Sequence, residues 1–174
     1  LSQTNLENTD GYPWCLRDDS REFLYKDGKI RLSLLIGCGC FFGLRYSDLS
    51  RLTWEQLLTG DSFAIYEQKT GKRREIRINK GFQDFIRDCY VALMVCDISQ
   101  PCFLNRFGTI ITNQMVNRHF KTIKVKYQLR VKNYSTHSLR KTFGRRVVDM
   151  AGSDAERPAP VGALPRRGLH RPLT

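Results

Sequence analysis

An imidazole and a guanidinium lie three residues apart in the segment Thr136–Thr142, at His137 and Arg140. A threonine ahead of an apolar-periodic run is typical of a helix start, which would place both side chains on the first helical turn. Helix amides, the helix dipole and the planar fork of an arginine all favour an anion there, and a histidine can give or take a proton. The spacing predicts a phosphate site; a solvated helix face or a structural pair is the alternative.

A second arginine, Arg45, stands where one predicted helix gives way to another. Residues 29–42 are apolar nearly all round and predict a buried helix, which Gly43 can end in a left-handed conformation. Ser47 or Asp48 can cap a short following helix. Arg45 would then be held at a junction of two elements, although an ordinary exposed arginine beside a cap fits the same residues.

Residues 62–68 and 73–79 alternate apolar and polar side chains around the turn Thr70-Gly71-Lys72, which predicts a β-hairpin. Phe63 and Ile65 should face one side, and Ala64 and Tyr66 the other. The tip is basic and of a size that enters a DNA groove, while the alternative is a solvated charged turn. Its cations are Lys69, Lys72, Arg73 and Arg74.

The remaining periodic segments predict helices. Residues 80–95 should place Phe82, Ile86, Val91 and Met94 against the core, and residues 53–58 read as a short strand or turn. Thr112 should cap a helix that reaches about residue 126. That helix has an inward face of Met115, Val116, Phe120 and Ile123 and an outward basic face of Arg118, Lys121, Lys124 and Lys126. The helix that begins near Thr136 should end at about Ala151.

The charge balance indicates the class of partner. The 174 residues carry a formal net charge of +12, with a pI near 9.7 and an ordinary 41% of hydrophobic residues. An excess of this size on one domain favours a polyanion, and nucleic acid first, over basic residues kept only for solubility. No signal peptide and no apolar run of membrane-spanning length is present, so no membrane partner is expected.

The six cysteines could form three disulfides or a metal site. Cys38 and Cys40 lie in an apolar run, Cys89 and Cys96 in a helical pattern, and no CxxC pair or histidine at ligand spacing accompanies them. We expect free, buried thiols in a reducing cytoplasm, and no metal.

Three boxes in this order and spacing resemble the catalytic domain of tyrosine recombinases, the phage integrase family, in the form found in bacterial mobile elements. They are Gly43-Leu44-Arg45 with Ser47-Asp48-Leu49, then Glu67-Gln68-Lys69-Thr70-Gly71, then His137-Ser138-Leu139-Arg140 with Thr142-Phe143. The resemblance implies an α+β, mainly helical fold with a small antiparallel β-hairpin. It divides the chain into an N-terminal linker remnant (1–18), a truncated integrase catalytic domain (19–153) and a tail outside the family pattern (154–174).

The resemblance also implies residue roles. Arg45 and Arg140 would be the two catalytic arginines, Lys69 the hairpin lysine that protonates the leaving 5′ oxygen, and His137 the histidine that assists proton transfer. Two fixed guanidinium groups can stabilise the charge that develops on a phosphate in transfer, so no metal or cofactor is implied. The expected DNA contacts are Lys72, Arg73, Arg74, Arg118, Lys121 and Lys124.

The family's nucleophilic tyrosine has no counterpart where the pattern requires it. All seven tyrosines lie at or before Tyr134, whereas the family's nucleophile would fall near Arg171, in a tail that holds four of the six prolines and no aromatic residue. Such a composition predicts disorder, and a frameshifted or joined end is one explanation. Tyr127 and Tyr134 precede the helix that a nucleophile should follow.

The resemblance implies a site-specific DNA recombinase in the intact parent, active through a 3′-phosphotyrosyl intermediate as a tetramer on double-stranded DNA in the bacterial cytoplasm, at the nucleoid. The chain as written is expected to bind DNA without cleaving it. A non-enzymatic DNA-binding or regulatory protein that kept the fold is the main alternative, and a type IB topoisomerase, which shares the chemistry, is a weaker one.

Overall fold

The computed structural model describes residues 24–129 and 133–155. The predicted linker at residues 1–18, Cys15, and residues 156–174 of the predicted tail lie outside that range. Within it, we name six helices and a two-stranded sheet, which confirms the mainly helical α+β class.

Helix α1 (Ile30–Phe42) is the centre of the molecule, as its apolar sequence predicts. Nine of its 13 residues are buried, including Leu34, Leu35 and Ile36, so the helix has almost no solvent-facing side. It ends at Gly43, whose φ of 61° is left-handed and whose N–H donates to the carbonyl of Gly39 at 3.2 Å. The predicted glycine C-cap is therefore confirmed.

Two short helices follow α1. Helix α2 (Tyr46–Leu49) begins directly after Arg45, and helix α3 (Trp54–Leu58) follows Thr53. The expectation of a strand or turn at residues 53–58 is wrong. The Thr53 hydroxyl accepts from the Gln56 N–H at 3.3 Å and the Gln56 side chain accepts from the Thr53 N–H at 3.1 Å, a reciprocal pair that stabilises a helix start.

Strands β1 (Ser62–Tyr66) and β2 (Arg73–Arg77) pair antiparallel and form the predicted hairpin. Phe63 lies opposite Ile76, and Ile65 lies opposite Arg74. Phe63 and Ile65 are buried and Ala64 and Tyr66 are exposed, as the alternation predicts. The buried face rests on α1, where the rings of Phe42 and Phe63 meet edge to face at 5.4 Å.

Helix α4 (Lys80–Ala92) packs Phe82, Ile86 and Cys89 into the core. The prediction that Val91 and Met94 also face inward is wrong, since they are 72% and 84% exposed. The helix ends at Ala92 rather than near residue 95, so Met94 lies outside it and the helical period no longer applies.

Helix α5 (Asn113–Lys126) begins at the predicted cap, where the Thr112 hydroxyl accepts from the Met115 N–H at 3.3 Å. Val116, Phe120 and Ile123 are buried as predicted, but the prediction for Met115 is wrong, since it is 37% exposed beside the buried Val116. On the outer face, Arg118 and Lys121 are exposed, and Lys124 is half-buried.

Helix α6 (Thr136–Ala155) lies directly against α1. A Cβ placed on Gly39 would be 2.5 Å from Leu139 Cδ1, and one on Gly43 would be 2.2 Å from Phe143 Cδ1. The two glycines, one helical turn apart, therefore admit two side chains one turn apart on α6. The helix runs through Ala155, past the predicted end near Ala151.

In the described residues, none of the cysteines forms a disulfide, and Cys38, Cys40, Cys89 and Cys102 are buried, as expected, while Cys96 is exposed, against the expectation. Burial raises the pKa of the Cys38 thiol, as it does that of Cys102. In the whole described part of the chain we find no group of three His, Cys, Asp or Glu side chains placed to hold a metal ion. No helix in the same range has the length and apolarity to cross a membrane.

Candidate functional site

Arg45 occupies the N-cap position of α2 in an extended conformation, and its carbonyl accepts from the N–H groups of Asp48 and Leu49. The structure confirms the predicted junction between two elements. The Arg45 guanidinium donates from Nη1 to Glu67 Oε2 at 2.8 Å and is 31% exposed. The arginine of the first box is thus joined to the hairpin.

Glu67, which directly follows β1, accepts from several directions. Its Oε2 accepts from the Thr70 hydroxyl at 2.9 Å as well as from Arg45, and its Oε1 lies 3.9 Å from Arg74 Nη1. These hydrogen bonds, first that of Thr70 and then that of Arg45, lower the pKa of the Glu67 carboxyl. The group is consequently a carboxylate with two cationic neighbours.

Arg74 is half-buried and faces the protein, not the hairpin tip. Its Nη2 donates to the Phe42 carbonyl at the end of α1 at 2.8 Å, and its guanidinium carbon lies 5.5 Å from the centre of the Phe143 ring. Arg74 therefore contacts α1, α6 and Glu67 together.

Asp48 fixes the other side of the hairpin turn. Its Oδ1 accepts from the Gln68 N–H at 3.0 Å, and its Oδ2 is buried without a hydrogen-bond partner among the described residues. Gln68 directly precedes Lys69, so the backbone that leads to the lysine is held. The side chains of Lys69, Lys72 and Arg73 are exposed at the tip.

The start of α6 is held by two asparagines of α5. Asn117 Oδ1 accepts from the Thr136 N–H at 3.1 Å, and Asn113 Oδ1 accepts from the Thr136 hydroxyl at 2.9 Å. The Ser138 hydroxyl donates to the Asn133 carbonyl at 2.7 Å. Helix α6 thus begins where the sequence predicts, with His137 exposed and Arg140 half-buried in its first turn and a half.

Packing brings these elements to one region. Phe143, one turn after Arg140, fills the space left by Gly43, which stands two residues before Arg45, and it also contacts Arg74. The junction of Arg45, the hairpin of Lys69 and the first turns of α6 are therefore neighbours. Helix α5 contributes the asparagines at the start of α6, and its exposed cations Arg118 and Lys121 extend along its own outer face.

Three of the described tyrosines, considered as candidate nucleophiles, make structural contacts instead. The Tyr46 hydroxyl donates to the Ile111 carbonyl, and burial raises the pKa of Tyr46 to about 12. Tyr127 bonds to Asp27, as does Lys126. Tyr134 is buried, with its ring stacked on Phe120 at 4.5 Å.

Sequence reasoning did not identify Glu67, Asn113 or Asn117 as members of the site. The asparagines carry a detectable signal, since two short amide side chains four residues apart share one helix face. Glu67 stands in the second box, but only the tertiary fold shows that Arg45 lies within its reach.

The chain is similar to known recombinases in sequence pattern and in fold. The model of the phage integrase family matches residues 20–155. The XerA recombinase aligns with a TM-score of 0.62 at 16% identity, over 86% of this chain and 54% of that one. The XerH site-specific recombinase, in a pre-cleavage complex with its difH substrate, aligns with a TM-score of 0.57 at 20% identity. The alignment covers 85% of this chain and 46% of that one.

The Tn1549 transposon integrase, in complex with circular intermediate DNA, aligns with a TM-score of 0.55 at 18% identity, over 86% of this chain and 55% of that one. The chain thus spans about half the length of the solved recombinases it matches. No curated protein sequence matches it. Because the family model covers most of the chain, and the order of the boxes agrees with it, the chain belongs to the phage integrase family of tyrosine recombinases.

Proposed function

We propose that residues 19–153 are the catalytic domain of a site-specific DNA recombinase and that their partner is double-stranded DNA. The observation that supports this most directly is the meeting of three phosphate-binding elements. Gly43 and Phe143 join the junction of Arg45 to the helix of Arg140, and Glu67 joins the same junction to the hairpin of Lys69. XerH and the Tn1549 integrase are similar proteins whose structures contain DNA.

In this proposal Arg45 and Arg140 hold the non-bridging oxygens of one DNA phosphate. Guanidinium groups suit this role because they stay charged and donate through a planar fork. Fixed donors stabilise the charge that builds up on the phosphate more than they stabilise the ground-state diester. Lys69 supplies a proton to the leaving 5′ oxygen, and exposed His137 assists proton transfer.

The exposed cations are the proposed contacts to the flanking DNA backbone. Lys72 and Arg73 at the hairpin tip and Arg118 and Lys121 on α5 are accessible, and half-buried Lys124 extends that face. Arg74 was predicted as a further DNA contact, but its bonds to Phe42 and Glu67 favour a role inside the protein.

A matched pair of variants tests the phosphate clamp. Arg140→Ala should weaken binding of a fluorescent duplex of random sequence by about tenfold, as expected for loss of a hydrogen bond to a charged group. Arg145→Ala removes the same charge from the exposed face of the same helix, where Arg145 pairs with Asp149 at 3.0 Å, and should have a much smaller effect. If both variants lost the same DNA affinity, Arg140 would contribute only its positive charge and not a specific phosphate contact, which would contradict the proposal.

The 174 residues should bind DNA without attacking it covalently, since no tyrosine follows Tyr134. Incubation with a pool of nicked duplexes, which trap a phosphotyrosyl intermediate by losing the free 5′ end, should give salt-dependent binding and no adduct that survives detergent. A trapped adduct would overturn this expectation and assign cleavage to the chain itself.

The absence of a later tyrosine also favours a second candidate, a non-enzymatic DNA-binding or regulatory protein with the integrase fold. A parent protein with a tyrosine after α6 would instead support recombination by a tetramer on paired sites. Mass measurement of that parent on DNA would then give four copies, and a stable monomer on its site would contradict the tetramer.

A further inference from the structure

Arg45 depends on one side chain for its orientation. Among the described residues its guanidinium has a single partner, Glu67, at 2.8 Å. An arginine side chain has several rotatable bonds, and an unanchored one would lose much of its binding energy in being ordered on a phosphate. A guanidinium already fixed at one edge keeps its remaining N–H groups available without that loss.

Glu67 is itself held from two sides. The Thr70 hydroxyl donates to the same oxygen that accepts from Arg45, at 2.9 Å, and Arg74 lies 3.9 Å from the other oxygen. The Glu67 side chain is only 18% exposed. The carboxylate is therefore held by residues other than Arg45, and its position favours one orientation of the guanidinium.

Arg74 links this arrangement to the opposite half of the site. One nitrogen lies near Glu67, another donates to the Phe42 carbonyl at 2.8 Å, and the guanidinium lies over the ring of Phe143. Phe143 is on α6, one turn after Arg140. A continuous set of contacts therefore runs from Arg45 through Glu67 and Arg74 to the helix of the second arginine.

We propose that Glu67 is a positioning residue, which orients the Arg45 guanidinium toward the DNA phosphate, and that Arg74 couples this orientation to α6. The inference rests on the proposed function of the site and adds the residues that set its geometry. A carboxylate also repels DNA, so any substitution of Glu67 removes an unfavourable charge. The test must therefore separate orientation from charge.

Two substitutions at one position make that separation. Glu67→Ala and Glu67→Gln remove the same charge, but glutamine keeps a carbonyl oxygen that can accept from Arg45. In fluorescence anisotropy with a labelled random-sequence duplex, Glu67→Gln should bind about fivefold tighter than Glu67→Ala, in the range of measured coupling energies between neighbours. Glu75→Ala and Glu75→Gln, on the exposed face of β2, should bind equally.

The same comparison in an Arg45→Ala background shows whether the effect acts through Arg45. There the two Glu67 variants should bind DNA equally. Thr70→Val leaves every charge in place and removes one hydrogen bond to Glu67 from an exposed turn, and should weaken binding by about twofold. It provides a readout even if Glu67→Ala does not fold.

A measurement without DNA separates this inference from the proposed function. The guanidinium resonance of Arg45, identified by its loss in Arg45→Lys, should be resolved in the wild type and in Glu67→Gln and averaged by rotation in Glu67→Ala. Failure to bind DNA would overturn the proposed function alone. An Arg45 resonance that is unchanged in Glu67→Ala, or equal DNA affinities for the two Glu67 variants, would overturn the positioning role.

Discussion

Glu67 is the residue through which we expect the stability of the candidate site to depend on acid pH. Its carboxylate is stabilised by the hydroxyl of Thr70 and the guanidinium of Arg45, which hold the pKa of Glu67 below its ordinary value of 4.5. A carboxyl whose pKa is lower in the folded state adds stability above its ordinary pKa, and this stability disappears as the pH falls through the folded value.

We therefore expect the melting temperature of Glu67→Gln to lie below that of the wild type, by a difference that does not change with pH near neutrality. The gap should close as the pH falls below about 4.5, where the wild-type carboxyl takes up its proton. Thermal unfolding followed by circular dichroism from neutral to acid pH measures it, with Glu75→Gln as the charge-matched control. A gap that stays constant across the whole range would show that Glu67 is not held as a carboxylate.

At this scale the sequence predicts chemistry better than geometry. Arg45, Lys69, His137 and Arg140 could be selected because their types and order suit a phosphate. Arg74 looks the same in sequence as its neighbour Arg73, yet Arg73 is exposed and Arg74 is half-buried against Phe143. Adjacent residues of a strand point to opposite faces, and which face is covered depends on helices far away in the chain.

Among the elements, the contact between α1 and α6 sets the relative position of the segments that carry Arg45 and Arg140. Helices can lie this close only where one of them lacks side chains, and here Gly39 and Gly43 receive Leu139 and Phe143. The affinity of the site for a phosphate should therefore depend on residues that touch no ligand.

Two helical glycines provide a matched test of this contact. Gly39→Ala should lower the free energy of unfolding by roughly 1–3 kcal/mol, since a new methyl group would overlap Leu139 in a packed core. Gly144→Ala, on the exposed side of α6 with no neighbour within 4 Å, should raise it by about 0.5–1 kcal/mol through helix propensity alone. Urea unfolding measures both. Stabilisation by both alanines would mean that α6 is not seated on α1.

Elements with a strong pattern could be predicted and those without one could not. The apolar run of α1, the alternation of the hairpin and the capped start of α5 agree with the structure in position and type. Helix α3 is too short for a period to show, although Thr53 and Gln56 have the spacing of a capping box. Met94 was assigned inward because the pattern was extended past the end of α4, whereas Val91 lies within the last turn of α4 and faces away from the core.

For the molecule as a whole, the net charge of +12 predicts steep salt dependence on DNA. The charges are not equivalent, however, because some already have anionic partners. Lys121 and Lys126 of α5 are both exposed, but only Lys126 of the two is paired with a carboxylate among the described residues, that of Asp27. The 29 lysines and arginines of the sequence therefore overstate the number of cations available to DNA.

Lys121→Ala should lower the slope of log affinity against log salt concentration by about one, the value expected for the loss of one phosphate contact. Lys126→Ala should change that slope much less. Titration of a labelled duplex at several salt concentrations measures both slopes. An equal decrease in both would show that DNA does not distinguish the outer face of α5 from the paired end, which would count against the assigned interface.

The two glycines of α1 differ in the constraints they place on related sequences. Gly39 has an ordinary helical conformation, so a larger residue there can be accommodated if position 139 becomes smaller. Position 43 is constrained twice. A side chain there would overlap Phe143, and the backbone has a φ of 61°, which residues other than glycine adopt at a cost. Among homologues, positions 39 and 139 should therefore covary in size, whereas position 43 should remain glycine whatever stands at 143.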